Sequence, residues 1–515
     1  MSKIAANTLI LMVSTIIAKI LGFVRELVLA SSYGVSMYSD AYITSADIPL
    51  LIFTIIGTTL ATVLIPMYFN VNNDKGEESA LKFINNVFNI VILLCILLAF
   101  IGLVFTKELV KIFAVGFDGE ILNLTINFTR ITIISIIFIG LSYIITSYLQ
   151  IKNNFTIPGI ISIPKNIIII TSIILSTKYN PYIMVWGTLF GTAVEFLFQL
   201  PFAIKRGYRY QSYINIKDEY IKKIILLIGP VIIGVAVNQV NTLVDRALAS
   251  TLSEGSISAI NYANKLNGFV IALFITSIGS VVYPILSKLS SEENKDQFIN
   301  AVVQSINSAV LLVIPISVGA MVLSNPIVKL LFERGAFGSR ATSMTSIVLT
   351  MYSIGMIAFG LRDILGKVFY SIQDTKTPMI NGAVSMGMNI ILNIILVKYL
   401  GIKGLALSTS ISSIICVLLL FYSLNKKIGY YGQDKIIKTT LKSIISAFVM
   451  GVVTYLGYNI LSKMLGNGTI YEAISLFTSI VIGGIVYAVL IILLKVEEIE
   501  IINNLLKKNV KKEAS

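Results

Sequence analysis

The chain has no histidine, only two cysteines and few charged side chains, and each shortage argues against a class of protein. Without histidine it lacks the commonest metal ligand and the usual carrier of protons near neutral pH. Cys95 and Cys416 lie in separate apolar runs, which argues against a disulfide framework and predicts inert, packed thiols. The sequence shows no Walker A motif, metal-ligand spacing or nucleophile elbow, so we expect neither ATP hydrolysis nor an enzyme with a bound cofactor.

Apolar sequence is what the chain has in abundance. Its 515 residues are 56% hydrophobic and 13% charged, with a mean hydropathy of +0.87. Soluble domains carry about 25% charged residues. Here apolar runs of about 20 residues, each able to span a bilayer as a helix, recur along the sequence. We therefore predict an all-α polytopic membrane protein. Its fourteen candidate spans are 6–30, 39–69, 83–106, 121–150, 157–177, 181–204, 223–251, 257–286, 299–324, 341–370, 378–398, 402–425, 438–462 and 471–494.

The placement of lysine and arginine predicts how the chain enters the membrane. With the N-terminus in the cytoplasm, the cytoplasmic segments hold more than twice as many Lys and Arg as the outer segments. We therefore expect both termini inside. The same bias accounts for much of the net charge of +14 without a nucleic acid partner.

The two halves of the chain match each other at an offset of about 220 residues. Phe-Ile-Asn at 83–85 matches 298–300, and YLQIKNNFTIP (148–158) matches YSIQDTKTP (370–378). Because each repeat holds six spans, an even number, the halves are parallel in the membrane, which is a standard transporter plan with the substrate site between them. We predict an N-terminal lobe of residues 1–216, a C-terminal lobe of residues 217–430, and two additional spans with a basic tail in residues 431–515.

Charged residues within the spans mark a candidate site. Lys19, Arg25, Glu26, Asp40 and Asp47 lie on the first two spans. An isolated charge in hydrocarbon costs about 2.5–3.5 kcal/mol on insertion scales. Five charges together favour a hydrated cavity whose basic members suit an anionic ligand. The alternative is snorkelling to the interface combined with internal ion pairs.

The equivalent spans of the second half also carry charges, among them Lys265. If the two pairs of spans face each other, Lys19, Arg25 and Lys265 would surround one anionic group. Arginine offers a planar fork suited to phosphate, and lysine offers a point charge. Asp40 would then hold a basic side chain in position.

Other charged residues in the spans fit internal pairing. Arg246 directly follows Asp245, and its simplest role is to neutralise that carboxylate. For Arg130, Lys165 and Glu195 we expect pairing within the helix bundle.

The longest internal connection, residues 205–223, reads KRGYRYQSYINIKDEYIKK. It combines basic, aromatic and aliphatic residues between the sixth and seventh spans. This composition leads us to expect an interfacial amphipathic helix.

A second polar set suits a small cation. Asn389 and Asn393 lie four residues apart, on one face of span eleven, and Thr409 lies on span twelve. Together with Asp245 they would supply oxygen ligands for a hard cation such as Na⁺. The alternative is that these Asn and Thr side chains hydrogen-bond between helices as packing contacts. The sequence leaves both interpretations open.

Four stretches carry a resemblance to a known family: LGFVRELVLASSYGVSMYSDAY (21–42), NQVNTLVDRALASTLSEGSISAINYANKL (238–266), LFERGAFGS (331–339) and FYSIQDTKTPM (369–379). They resemble the MurJ (MviN) family of lipid II flippases, which belongs to the multidrug/oligosaccharidyl-lipid/polysaccharide exporter superfamily. The resemblance implies fourteen spans and movement of lipid II, the undecaprenyl-pyrophosphate-linked peptidoglycan precursor, to the outer leaflet of the bacterial plasma membrane by alternating access. Cell wall synthesis would depend on it, with cell-wall synthases as partners.

The family pattern also implies roles for individual residues. Arg25 matches a basic residue of the substrate cavity, Lys19 and Lys265 match positions where Arg is usual, and Asp40 matches the acidic residue of span two. An Arg pair that many members carry after the span-two proline is replaced here by Ile, Phe and Thr. The family's sodium site corresponds to Asp245, Asn389, Asn393 and Thr409, with Asp expected at position 393.

Lipid II flipping is therefore the function we favour from the sequence. One alternative is the export of another undecaprenyl-linked oligosaccharide. A small-molecule exporter of the same superfamily is a second alternative, but a cationic drug would require an acidic cavity without paired cations. A non-transporting membrane scaffold would have no reason to keep so many charges within its spans.

Overall fold

A computed structural model describes residues 3–292, 294–466 and 468–498, with side chains throughout except at 3–14, 59, 61 and 228–238. Within these ranges the chain forms α-helices, one π-helical turn (Ile271–Ile275) and no strand. The helices are α1 (Lys3–Tyr33), α2 (Met37–Lys75), α3 (Glu77–Val104), α4 (Thr106–Phe113), α5 (Gly119–Thr132), α6 (Ser135–Ile151), α7 (Thr156–Ile160), α8 (Ser162–Ser176), α9 (Tyr182–Lys205), α10 (Glu219–Ala249), α11 (Ser256–Val270), α12 (Thr276–Ser291), α13 (Lys295–Val322), α14 (Ser324–Phe332), α15 (Ser339–Ser371), α16 (Lys376–Leu400), α17 (Ile402–Ile428), α18 (Gln433–Leu465) and α19 (Thr469–Leu493).

The helices confirm an all-α polytopic membrane protein. Among the described residues, eleven helical segments are long and apolar enough to cross a membrane, or twelve if α5 and α6, which meet at 41°, form one bent span. The predicted first and seventh spans coincide with α1 and α10. Each of these has 31 residues and is about 46 Å long, but part of each lies outside the side-chain description. The count of fourteen spans stays a prediction.

Helix α3 illustrates why these segments require a bilayer. One face packs inward, with Val91 and Cys95 buried. The opposite face presents Leu97 and Phe100, which are 53% and 64% exposed. Monomeric proteins in water rarely expose contiguous apolar surface of this kind, whereas hydrocarbon accommodates it without cost.

The described chain divides into two compact units. Unit 1 runs to Ser258 and includes Arg334–Gly338, and unit 2 comprises the remainder from Ala259 onwards. The core of unit 1 is built by α2, α3, α6 and α9 around residues such as Phe53, and that of unit 2 by α13, α15, α17 and α18 around residues such as Phe369. The predicted lobe boundaries follow the sequence repeat rather than contacts, and they stay a prediction.

The turns that precede α7 and α16 show the repeat at the level of the backbone. Asn153 and Gln373, which are 220 positions apart, both adopt the left-handed conformation, with φ of 55° and 60°. The following residues, Asn154 and Asp374, each donate a backbone N–H to the carbonyl five positions earlier, at 2.8 and 2.9 Å. Non-glycine residues rarely adopt positive φ, so the shared conformation supports a common origin of the two turns.

The connection between α9 and α10 differs from our expectation of an amphipathic helix. Residues 208–215 form neither helix nor turn, and α10 begins only at Glu219, where the Asp218 carboxylate accepts the N–H of Tyr220 at 2.8 Å. The backbone groups of this extended segment find their partners on α3, as described below. A helix prediction from local composition fails here because the decisive hydrogen bonds are long-range.

Candidate functional site

Arg25 lies within unit 1 in a defined position. Its guanidinium donates to Glu26 Oε1 at 2.7 Å and to Asn166 Oδ1 on α8 at 3.3 Å. The Arg25 side chain is 26% exposed, whereas that of Glu26 is 6% exposed. Two acceptors therefore orient the fork, and about a quarter of the side chain stays exposed, which suits an anion-binding arginine.

Asp47 and Asp40 on α2 have partners that the sequence did not predict. Asp47 forms an ion pair with Arg246 on α10. The neutralisation of Asp245 by Arg246 stays a prediction. Asp40 is buried and accepts the backbone N–H groups of Gly255 at 2.8 Å and Ser258 at 2.7 Å. The expected basic side chain is thus replaced by backbone donors at the first turn of α11.

The side chains of the two candidate lysines are more exposed than that of Arg25. Lys19 on α1 and Lys265 on α11 are both exposed side chains, the former in unit 1 and the latter in unit 2. An exposed ammonium group on a long stem adapts easily to a ligand, but it imposes less geometry than a held guanidinium.

Of the other charged residues predicted to pair within unit 1, Lys165 and Glu195 do so, whereas Arg130 is exposed and forms no ion pair among the described residues. Lys165 on α8 donates to Glu195 on α9 at 2.7 Å, with both side chains less than a quarter exposed. Next to this pair, the buried Gln199 donates to Ser142 at 2.7 Å and accepts from Thr146 at 2.7 Å. Sequence analysis missed Asn166 and Gln199, although an amide within an apolar run is a usable signal for a buried polar contact.

The proposed cation ligands of unit 2 form a polar cluster between α16 and α17. Asn393 donates to Asn389 Oδ1 at 3.0 Å, Ser408 donates to Asn393 Oδ1, and Asn389 donates to Ser412 at 3.2 Å and Thr409 at 3.5 Å. These are neutral oxygen donors, which fit a hard cation such as Na⁺. The same contacts also satisfy the packing interpretation, and Asp245, the fourth predicted ligand, belongs to unit 1.

Carboxylate- or thiolate-rich metal sites do not occur in the part of the chain that the structure describes. No group of three or more His, Cys, Asp or Glu side chains is arranged there to hold a metal ion. Cys95 and Cys416 are buried free thiols, as predicted.

An apolar groove of about 550 Å³ lies within unit 2 and was not foreseen from the sequence. Helices α11, α13, α14, α15, α18 and α19 and the π-helical turn contribute to it, and Leu312, Pro315, Gly319, Met450 and Gly484 are among its lining residues. Glycine at two of these positions leaves room between side chains. The groove therefore suits a hydrocarbon chain, and the two additional C-terminal helices, α18 and α19, line part of it.

Comparisons with known proteins agree along nearly the whole chain. The family model described as lipid II flippase MurJ matches residues 29–501. A protein of Buchnera aphidicola subsp. Acyrthosiphon pisum described as a probable lipid II flippase MurJ is 31% identical, over 92% of this chain and 94% of its own. A solved structure described as lipid II flippase MurJ in an inward closed conformation is 29% identical, with a TM-score of 0.81 over 94% of this chain and 98% of its own. A multidrug resistance transporter of the MATE family shares the fold, with a TM-score of 0.67 at 14% identity over 81% of this chain and 96% of its own.

Proposed function

Because this chain belongs to the MurJ family of lipid II flippases, we propose that it moves lipid II across the bacterial plasma membrane. The observation that carries this proposal is the match along nearly the full length, in sequence and in fold, to proteins described as MurJ. Transport, rather than catalysis, is the activity of this family.

The direction and the topology extend the proposal. Lipid II would move from the inner to the outer leaflet by alternating access, with both termini of the chain in the cytoplasm. The positive-inside distribution of Lys and Arg supports this orientation. Cell-wall synthases would then receive the precursor on the outer side.

We propose that Arg25 binds the pyrophosphate. Glu26 and Asn166 hold its guanidinium, and its other N–H groups would donate hydrogen bonds to phosphate oxygens. Lys19 and Lys265, both exposed, would add positive charge to the same anion. Asp40 contributes indirectly, because it fixes the backbone at residues 255–258.

The apolar groove of unit 2 supplies a place for part of the undecaprenyl chain. Its lining is almost entirely hydrocarbon, including Phe269, Leu312 and Ile480. A polyprenyl tail leaving the bilayer for such a groove keeps an apolar environment, so its transfer costs little.

We further propose Na⁺ as a coupling ion, held by Asp245, Asn389, Asn393 and Thr409. Oxygen donors of this kind suit a hard monovalent cation. Asp245→Asn removes the one carboxylate of the set and should reduce any dependence of transport on Na⁺. Flux measured in proteoliposomes with and without a Na⁺ gradient tests this, and equal rates in both conditions would remove Na⁺ from the mechanism.

The central experiment is a flipping assay with purified lipid II in proteoliposomes. Arg25→Ala should reduce the rate at least about 100-fold, because a charge-assisted contact to phosphate is lost. Arg25→Lys keeps the charge and should retain part of the rate. Arg130→Ala is the matched control, since it removes an exposed arginine of α5. Normal flipping by Arg25→Ala would remove Arg25 from the site.

Substrate identity needs a separate test in cells. Depletion of the protein should cause lipid II to accumulate on the inner leaflet. Normal lipid II turnover together with accumulation of another undecaprenyl-linked saccharide would instead favour export of that saccharide as the function.

A further inference from the structure

The extended segment between α9 and α10, residues 208–217, is the strap, and it is hydrogen-bonded to α3. Three buried asparagines of α3 bind its backbone. Asn85 donates to the Arg209 carbonyl at 2.8 Å, and Asn89 donates to the carbonyls of residues 211 and 213 at 2.9 and 3.1 Å. Asn86 donates to the Asn215 carbonyl at 2.9 Å and accepts the Asn215 N–H at 2.8 Å. The side-chain amides thus satisfy backbone groups that a neighbouring β-strand would otherwise pair.

The position of the strap along α3 sets its depth in the membrane. Helix α3 has 28 residues and is about 42 Å long, which exceeds the hydrocarbon thickness of about 30 Å. All charged and amide side chains of this helix lie in its first half, residues 77–89, and a continuous apolar run starts at Ile90. The asparagines therefore lie where the helix leaves the hydrocarbon. Irregular backbone is tolerated near this depth only if its polar groups are satisfied within the protein, which the asparagines achieve.

The outward side of the strap combines apolar and basic residues. Tyr210, Ile214 and Ile216 are 59%, 49% and 63% exposed, and Arg209 and Lys217 beside them are also exposed. Apolar rings and chains at the headgroup level, flanked by cations, are typical of segments that lie in the membrane interface. Lysine and arginine near this level are attracted to anionic lipids.

We propose that the strap binds anionic phospholipid headgroups. Arg209 and Lys217 contact the lipid phosphates, while Tyr210, Ile214 and Ile216 enter the boundary between headgroups and acyl chains. This interaction is additional to the transport function, and it depends on the strap lying at a membrane surface rather than on which surface that is.

The contacts of the strap favour lipid over a nucleic acid. Proteins that bind single-stranded nucleic acid usually combine a basic groove with several free aromatic faces on which bases stack. Here Tyr208 is buried, and the Tyr213 ring is covered by the Lys82 ammonium at 4.3 Å from its centroid. Isoleucines 214 and 216 offer no stacking surface, but they suit acyl chains.

A tryptophan reporter tests the proposal in the full-length protein. The single native Trp186 is replaced by Phe, and Ile216→Trp introduces a reporter in the strap. The protein is placed in nanodiscs of phosphatidylglycerol and phosphatidylcholine, with bromine on the acyl chains of either lipid at equal mole fraction. We expect blue-shifted emission that brominated chains quench, and at least about twofold stronger quenching by brominated phosphatidylglycerol.

Charge variants test whether the two cations of the strap cause the preference for phosphatidylglycerol. Arg209→Gln with Lys217→Gln should bring the quenching by the two lipids to parity. The matched control, Lys426→Gln with Lys438→Gln, removes two exposed cations of unit 2 and should leave the preference intact. A thermal unfolding midpoint for each protein shows that it is folded.

Three results would overturn the proposal. Emission typical of water, without quenching, would show that the strap does not touch the bilayer, as expected if a soluble partner covers it instead. Equal quenching by both lipids in the reporter protein would show that it inserts without selecting anionic headgroups. A loss of preference in the unit 2 control as large as in the strap variant would assign the effect to the net charge of the whole protein.

Discussion

The tripeptide Phe-Ile-Asn occurs near the start of α3 and again near the start of α13, yet its two asparagines have different environments. Asn85 is fully buried, accepts from the Tyr208 hydroxyl at 3.2 Å and the Gln211 N–H at 3.1 Å, and donates to the strap. Asn300 is exposed. On α13 the neighbouring surface is covered instead by Gly432, which lies against the Val303 side chain. The duplicated motif is helical in both halves. Whether its asparagine forms long-range hydrogen bonds depends on the segment that packs over it.

The helices that precede α3 and α13 also differ between the two halves. In the first half this is α2, in the second it is α11 to α12, and their regular helical hydrogen bonding is interrupted by different means. In α2, Pro49 lacks an N–H, so the Ser45 carbonyl loses its helical donor. The Thr132 hydroxyl donates to that carbonyl at 2.6 Å. At the corresponding place in the second half the chain has no proline and forms the π-helical turn Ile271–Ile275. Such interruptions often coincide with functional sites.

The first prediction concerns the different contributions of Asn85 and Asn300 to stability. Asn85→Ala leaves several buried backbone and hydroxyl groups without partners and should lower the free energy of unfolding by about 2–4 kcal/mol. Asn300→Ala, at the equivalent exposed position, should change it by less than about 0.5 kcal/mol. Unfolding is followed with a fluorogenic maleimide, which reacts with the buried Cys95 and Cys416 once they become exposed.

Unit-specific readouts make this test stricter. With Cys416→Ser, the dye reports on Cys95 in unit 1, and the effect of Asn85→Ala should be fully visible there. Equal destabilisation by the two Asn→Ala variants would mean that the strap contacts add nothing to stability.

The second prediction concerns the bond that compensates for Pro49. Thr132→Val keeps the shape of the side chain but removes the donor to the Ser45 carbonyl, and it should cost about 1–2 kcal/mol. Thr129→Val is the control one helical turn earlier. The Thr129 hydroxyl is buried and has no hydrogen-bond partner among the described residues, so its replacement should be neutral or stabilising. The same maleimide assay measures both variants, and similar losses for the two would contradict the proposed role of Thr132.

Much of the fold, and part of the site, follows from local sequence patterns. Hydropathy places the helices because each span must satisfy its own backbone in hydrocarbon. The pairing of Lys165 with Glu195 follows from the cost of leaving either charge alone there. The partner of Arg246 was not predictable in this way, since Asp47 is distant in the sequence and only packing brings α2 beside α10. The strap was missed for the same reason, because its hydrogen bonds come from α3.

The last and smallest prediction uses the two turns with left-handed residues. In the first turn Asn154 is neutral and accepts the Ile157 N–H at 3.3 Å. In the second, Asp374 accepts the Thr377 N–H at 3.0 Å and Lys427 Nζ at 2.5 Å. Burial alone would raise the pKa of Asp374, but the hydrogen bonds from Lys427 and Thr377 lower this pKa to about 2, against an ordinary value of 3.8.

A carboxyl group whose pKa is lower in the folded state stabilises the fold above its ordinary pKa and loses that contribution as the pH falls towards the folded value. Asp374→Asn should therefore lower stability by about 1 kcal/mol at neutral pH, a modest amount because Lys427 is half exposed. The midpoint difference from the wild type, about 2–4 °C by circular dichroism at 222 nm, should shrink between about pH 4 and pH 2. Asn154→Ala, at the equivalent neutral position, should show a midpoint difference that is independent of pH over this range. A difference for Asp374→Asn that stays constant from neutral pH to pH 2 would mean that the charge of Asp374 does not stabilise this turn.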